Sequence, residues 1–344
     1  MPKTIQHILV IRLSAMGDVA MSVPVINAFV IANPHVKITV LTRSFFAPFF
    51  DDILNVTVVS PDLKGRHKGF LGLRKLSKEI LELHIDAVAD LHNVLRSNIL
   101  IQLLRLKGVP FKQIDKGRAE KKALVRVKNK VLRPLKSTHE RYADVFKALG
   151  FKLALDKNVT LSSKPIPESV KVSLPITDKK CIGIAPFAAH KGKMYPLEKM
   201  EQVIKILSQD CQVLVFGGGK HEKELLGAIA EKYPNVFNVT GLFSFKDELA
   251  IISNLDVMLS LDSGNGHLAA MYGVPVISLW GVTHPYAGFT PFNQPEDNQI
   301  LPDLKKFSLI PTSIYGNKYP EGYLTCFDTI SINDIILKIK KHLN

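Results

Sequence analysis

Two doubly wound α/β domains are the fold this sequence predicts, on three observations. Short apolar runs alternate with segments of helical periodicity along nearly the whole chain, the pattern of parallel sheets covered by helices on both faces. Several of the apolar runs end in polar or glycine-bearing turns, as strands do at the carboxyl edge where such sheets take ligands. At 344 residues the chain is too long for one ordinary core. Two such domains facing each other leave a cleft between their carboxyl edges.

The elements follow in order. Ile8–Leu13 is a short apolar strand with Arg12 in it, and Ser14-Ala15-Met16-Gly17-Asp18 is a turn leading into a helical pattern up to Ile31. Asp18 therefore stands where a strand hands over to a helix. A carboxylate in a first helical turn is stabilised by the dipole, so capping and chemistry are both open for it. Strands are expected near 7–13, 36–42, 55–60 and 85–91, and helices near 18–32, 44–52, 71–83, 94–106 and 138–149. Asp90-Leu91-His92-Asn93-Val94-Leu95-Arg96-Ser97 marks another strand end, where Arg96 either meets an anion or pairs with a neighbour.

Lys164-Pro165-Ile166-Pro167 and Leu174-Pro175-Ile176 form a proline-rich crossing between halves. The second series opens with a strand at 181–185. The loop Phe187–Pro196 follows it, with Lys191, Gly192 and Lys193 in its middle. Lysine on such a loop neutralises a diphosphate as a point charge, or is simply solvated. A helix at 197–209 and a strand at 211–216 lead to Gly217-Gly218-Gly219. This turn lacks the full G-x-G-x-x-G of dinucleotide sites. Glu222 follows it, either on a ribose or as an exposed helix carboxylate.

Helices at 221–232 and 246–253 precede the most informative segment. An apolar run to Leu261 ends in Asp262-Ser263-Gly264, an apolar helix carries His267, and a second buried strand runs from Val274 to Leu279. The turn offers backbone N–H groups and a helix N-terminus to a phosphate. Asp262 would repel phosphate, and a carboxylate beside an anion site holds hydroxyls, as on a sugar. A lone histidine on an apolar helix is ordinarily a hydrogen-bonded core residue. Ser331 is placed to cap a last helix with Ile332, Ile335, Ile336 and Ile339 on one face.

Bulk properties narrow the classes. Cys181, Cys211 and Cys326 are odd in number and lack metal-ligand spacing, which fits a reducing compartment. No apolar run reaches the roughly 18 residues of a membrane helix, and Arg12 and Asp18 interrupt the N-terminal run, so no signal peptide is expected. These point to the cytoplasm. Of the net charge of +14, residues 1–150 carry +13, concentrated between Arg105 and Lys147. Such a field attracts an anionic partner or is a solvated face. Nucleic acid is not expected, because the basic stretch lacks interleaved aromatics.

Together the segments ILVIRLSAMGDVAMSVP (8–24), DLHNVLRS (90–97), HERYADVFKALG (139–150), KMYP (193–196), DSGNGHLAA (262–270) and GVPVISLWG (273–281) resemble glycosyltransferase family 9, the lipopolysaccharide heptosyltransferases. The resemblance implies a GT-B fold of two Rossmann-like domains: an acceptor domain at 1–165, a nucleotide-sugar domain at 176–325, and a C-terminal helix at 326–344 crossing back to the first. It implies inverting transfer of a sugar, heptose from ADP-heptose, onto a phosphorylated core or lipid A acceptor, with no metal or other cofactor. Asp18 matches the general base. Lys193, Lys191, Asp262, Ser263, Gly264, His267, Gly218 and Glu222 fall on the donor side, and Arg96, Ser97 and Gly17 on the acceptor side. A lipid-linked acceptor implies peripheral association with the inner face of the membrane. Two positions depart from the family's pattern. Tyr195 stands where Trp is frequent, and Ala188 and Ala189 stand where some members have Ser or Thr. Donor grip then falls to the lysines and the backbone. The alternatives are transfer of another nucleotide sugar onto a surface glycan, or non-catalytic nucleotide or nucleic-acid binding.

Overall fold

The computed structural model describes residues 5–175 and 178–343, so Ile176 of the proline-rich crossing lies outside the described residues. The chain divides into two compact units, one of Met1–Lys116 with Thr138–Leu161 and one of Gly117–Ser137 with Ser162–Asn344.

The first unit is built on five parallel strands, β1 (His7–Ile11), β2 (Lys37–Leu41), β3 (Val56–Val59), β4 (Ala87–Asp90) and β5 (Phe111–Gln113), in the order β3-β2-β1-β4-β5. Ile11 pairs with both Leu41 and Asp90, so the loops that begin at Arg12, Thr42 and Leu91 leave the sheet side by side. The strand order reverses between β1 and β4, the switch point at which doubly wound sheets bind ligands. The helix expected at 18–32 is two, α1 (Met16–Ala20) and α2 (Ser22–Ala32). Pro24 is the physical reason: it cannot donate back to Ala20, and restarting at Ser22 places it in a first turn where no donor is needed. Pro48 acts similarly in the helix expected at 44–52, which is a single 3-10 segment, Ser44–Phe49. Helices α3 (Gly69–Leu81) and α4 (Leu95–Arg105) pack Leu73, Leu76, Ile80, Leu100, Ile101 and Leu104 into one apolar cluster under the sheet.

After β5 the chain leaves this unit. Gly117–Ser137, with α5 (Arg118–Leu124), is counted with the second unit and is bonded there. The Lys130 ammonium donates to the carbonyls of Leu309 and Pro311, and Leu135 N–H donates to Tyr286 at 3.0 Å. The segment holds eight Lys and Arg against one Glu, so the charge divided so unevenly by sequence halves divides evenly by unit, +7 each. The chain returns for α6 (Thr138–Ala148), whose Phe146 stacks on Phe29 of α2.

The second unit contains α7 (Glu168–Ser173) and six parallel strands: β6 (Cys181–Ala185), β7 (Gln212–Val215), β8 (Val236–Asn238), β9 (Val257–Leu261), β10 (Val276–Leu279) and β11 (Gln299–Ile300). Their order is β11-β10-β9-β6-β7-β8, with the reversal between β6 and β9. The connecting helices are α8 (Leu197–Leu207), α9 (Gly219–Ala230), α10 (Phe245–Ser253) and α11 (Gly264–Ala270). The last helix, α12 (Ile332–Lys340), begins where expected, with Ser331 Oγ accepting from Asp334 N–H. Ile335, Ile336 and Ile339 are buried in the second unit's own core, against α8 and β10. Burying this apolar face against α8 and β10 satisfies the amphipathic helix locally.

Candidate active site

Two constellations lie at the two switch points. In the first unit, Asp18 sits in the third position of α1. Its Oδ2 meets Arg12 Nη2 at 2.5 Å and accepts from Ala15 N–H at 3.3 Å. Oδ1 makes no hydrogen bond among the described residues, and the side chain is about one-third exposed (31%). Asp18 therefore does take part in its helix cap, and it still presents one free carboxylate oxygen. Arg12 is the residue that sequence reading undervalued. It is buried, its Nη1 donates to Leu91 at 2.7 Å, and its guanidinium lies 5.8 Å from the Tyr142 ring centre. Tyr142 in turn donates to the Asp18 carbonyl at 3.2 Å. The signal was present: a lone cation inside the run Ile8–Leu13 must find an anion to be tolerated there.

The Asp90–Ser97 turn divides into a scaffold and a surface. Asp90 is fully buried and accepts from His92 N–H, Asn93 N–H, Ser97 Oγ and Gln113 Nε2 at 2.9–3.1 Å. Ser97, expected on the acceptor side, is 1% exposed, and its hydroxyl is spent on Asp90 and on the Val94 N–H that it caps. Its one O–H is committed to groups of its own turn, so in this arrangement it serves the turn and has no proton to offer an acceptor. Arg96 is exposed and carries no ion pair among the described residues, and Gly17 is half-buried beside Asp18. His92 was not singled out. It is nearly buried with an unbonded Nδ1, and burial, then the nearby charges of Arg12 and Lys116, depress its pKa to about 4, so the ring is neutral.

In the second unit the loops after β6 and β9 bring Lys193 and Asp262 together across the switch point. Lys193 Nζ lies 2.8 Å from Asp262 Oδ2, with the side chains 13% and 5% exposed. The lysine expected on phosphate and the carboxylate expected on sugar are an ion pair with each other. Thr283, fully buried in the loop after β10, donates to the same oxygen at 2.9 Å. Its role had no sequence signal, since nothing distinguishes it from other loop threonines.

Glycines let this arrangement close. A Cβ on Gly192 would lie 2.4 Å from the Gly316 carbonyl oxygen and 2.5 Å from Val282, while Val282 N–H donates to the Gly192 carbonyl at 2.9 Å. Gly316, at φ +77, lies against the stem of Lys193 and so aims it. Tyr195 anchors the loop from behind, fully buried, donating to the Ile330 carbonyl at 3.2 Å and meeting Phe327 edge-on. Lys191 is exposed on the same loop.

Around Asp262, Ser263 is the cap residue of α11 and lies 3.1 Å from Ser260 Oγ, which also accepts from Gly266 N–H. Gly264 opens the helix, and His267 is buried within it, as expected of a core histidine. After β7, Glu222 accepts from Gly218 N–H at 2.6 Å through one carboxylate oxygen and so helps close its own turn. Gly219 takes φ +80, which accounts for a glycine at that position.

Comparison with known proteins gives the family and the fold. The model of glycosyltransferase family 9 (heptosyltransferase) matches residues 73–307. The chain belongs to glycosyltransferase family 9. It is therefore a glycosyltransferase, and it is 25% identical over 285 residues to the lipopolysaccharide core heptosyltransferase OpsX of Haemophilus influenzae, covering 80% of this chain and 79% of that one. It is 26% identical over 310 residues to lipopolysaccharide heptosyltransferase 2 of Escherichia coli K12, covering 83% and 84%. The fold agrees with a family 9 enzyme from Veillonella parvula at a TM-score of 0.74, with 20% identity and coverage of 100% and 98%. It agrees with E. coli ADP-heptose heptosyltransferase II at 0.70, with 19% identity and 98% coverage of each. The GT-B expectation is met. Asp18 precedes the segment that the family model matches, so its assignment rests on its own geometry.

Proposed function

We propose that this family 9 enzyme is an inverting transferase that moves heptose from ADP-heptose onto a phosphorylated lipopolysaccharide core acceptor. The observation that carries the reading is that each unit presents a charged constellation at its switch point, and that the two are chemically different. The first unit offers a carboxylate with one unoccupied oxygen, held by Arg12. The second offers a cation paired to a carboxylate.

In this reading the acceptor hydroxyl is attacked at its proton by Asp18 Oδ1. The hydroxyl oxygen bonds to the anomeric carbon as the carbon–oxygen bond to the diphosphate breaks. The departing diphosphate takes the bond's electron pair, and Lys193 with the N–H groups after Ser263 stabilises its charge. One displacement inverts the anomeric centre. Asp262 accepts from donor sugar hydroxyls, and Lys191 adds charge at the loop surface. Arg96, with the exposed edge around Gly17, meets the anionic acceptor. A lipid-linked acceptor brings the enzyme to the inner face of the membrane from the cytoplasm; among the described residues no helix is long and apolar enough to cross it.

The test is product formation from ADP-heptose by Asp18→Asn. The amide keeps the shape and removes the basicity, so turnover should fall by about 10²–10⁴-fold with ADP affinity unchanged. Transfer within threefold of the parent would leave Asp18 only its cap. A panel of other nucleotide sugars tests the donor separately, by which of them raises the melting temperature through binding the folded state.

A further inference from the structure

Helix α4 is apolar on two faces, and only one of them is covered. Leu100, Ile101 and Leu104 are buried in the first unit's core. On the outer side Leu95 is 78% exposed and Leu106 81%, with the half-buried Ile99 and Leu103 between them at helical spacing. The start of α3 continues this surface with Phe70, 60% exposed, and Leu71, 75% exposed. Between the helices runs a groove of about 370 Å³ lined by Phe70, Asn98, Ile99, Gln102, Leu103 and Leu106. Large side chains this exposed, and contiguous, mark a surface that meets something apolar.

The charges on α4 and at the start of α3 have one sign. α4 and its following turn carry Arg96, Arg105 and Lys107 and no carboxylate. The start of α3 is flanked by Lys68, Arg74 and Lys75, all exposed. The nearest carboxylate on α3, Glu79, is already bonded to Arg66 and His67. Leu, Ile and Phe ringed by Lys and Arg are the composition of a face that lies in a membrane interface, with the apolar side chains among the acyl chains and the cations at anionic headgroups. A second copy of this chain fits poorly, because two such faces would bring their cations together.

We propose that the α3–α4 face, led by Phe70, Leu71, Leu95 and Leu106, docks this enzyme on an anionic lipid bilayer. The surface lies in the same unit as Asp18, and α4 begins directly after the His92 turn, so docking would hold that turn near the membrane plane. The inference extends the peripheral association above to a named surface. It rests on this face alone, since vesicle binding needs neither donor nor acceptor.

The experiment is co-flotation of the full chain with vesicles of phosphatidylethanolamine and phosphatidylglycerol, against phosphatidylcholine alone. The parent should float with the anionic vesicles, and less with added salt. Phe70→Gln with Leu71→Gln and Leu106→Gln, all exposed positions, should keep its melting temperature and bind at least about tenfold more weakly. Arg105→Glu with Lys107→Glu should also lose binding, through headgroup attraction. A parent that stays in solution with both vesicle types would overturn the proposal, and so would a triple Gln variant that floats as well as the parent. A dimer seen by sedimentation that the Gln substitutions dissolve would assign the face to a second copy instead.

Discussion

Replacing Lys193 by Met leaves a buried carboxylate with a hydroxyl as its remaining partner, and the consequence can be worked from the geometry. The pair is 2.8 Å apart with both side chains largely buried. At an effective dielectric near 20 their attraction is about 6 kcal/mol, most of which was spent on removing the two charges from water. Breaking such a pair from one side costs about 3–5 kcal/mol, because the abandoned charge keeps its desolvation penalty. Thr283 still donates to Asp262 and softens the loss, so about 3 kcal/mol is expected. Asp262→Asn alone strands Lys193 in the same way, while the double variant strands nothing. Urea unfolding of the four proteins closes a double-mutant cycle, and the coupling should be about 2–3 kcal/mol. A coupling below about 0.5 kcal/mol would show that water screens the pair and that it does not organise the loop. The functional arm is separate. If Lys193 also meets the donor diphosphate, Lys193→Met should weaken ADP binding by about 1.5–3 kcal/mol in calorimetry, beyond any loss of folded protein.

Three further outcomes follow from neighbouring contacts. Thr283→Val removes the hydroxyl from a buried acceptor and should cost about 1–3 kcal/mol of stability and lower donor affinity, whereas Thr283→Ser should restore most of both. Gly316→Ala places a Cβ 2.6 Å from Lys193 Cγ at a backbone φ of +77; a stability loss of about 1 kcal/mol or more, with ADP affinity reduced through the displaced lysine, is expected from melting and calorimetry. Glu248 on α10 is pushed up to about 7 by burial. A carboxyl raised above its unfolded value favours the folded state while protonated, so that stability is present below about pH 4.5 and is lost as pH rises through 7. Glu248→Gln should therefore gain about 2–3 kcal/mol on the parent between pH 4 and pH 8, and parallel pH–stability curves would refute it.

The fold was legible because its signal is periodic. Four of the first unit's strands and the central strands of the second are apolar runs bounded by turns. The parts that escaped are the parts with too few residues to show a period. β5, β8 and β11 have three, three and two residues and lie at sheet edges, where pairing partners rather than pattern define them. The split of the first helix at Pro24 follows from a known rule that long apolar periodicity concealed. The return of Gly117–Ser137 to the second unit had no local sign, since it depends on Lys130 reaching carbonyls some 180 positions away.

The site was legible in its charges and not in their pairing. Asp18, Lys193 and Asp262 stand out because polar residues at strand ends are where ligands bind, and the structure keeps all three at the two switch points. What periodicity could not supply is which groups share a proton, a charge or a hydroxyl once the loops converge. Ser97 and Glu222 lie in motifs as suggestive as Asp18's, yet each closes its own turn. Arg12 and Thr283 lie in apolar or ordinary surroundings, yet each holds a site carboxylate. Between Ser97 and Asp18 the difference is one of remaining capacity. Ser97 has spent its hydroxyl, whereas Asp18 retains an unbonded oxygen after Arg12 and Ala15 are satisfied. That unbonded oxygen, on a side chain about one-third exposed, is what makes Asp18 the candidate to test first, and no sequence pattern announces it.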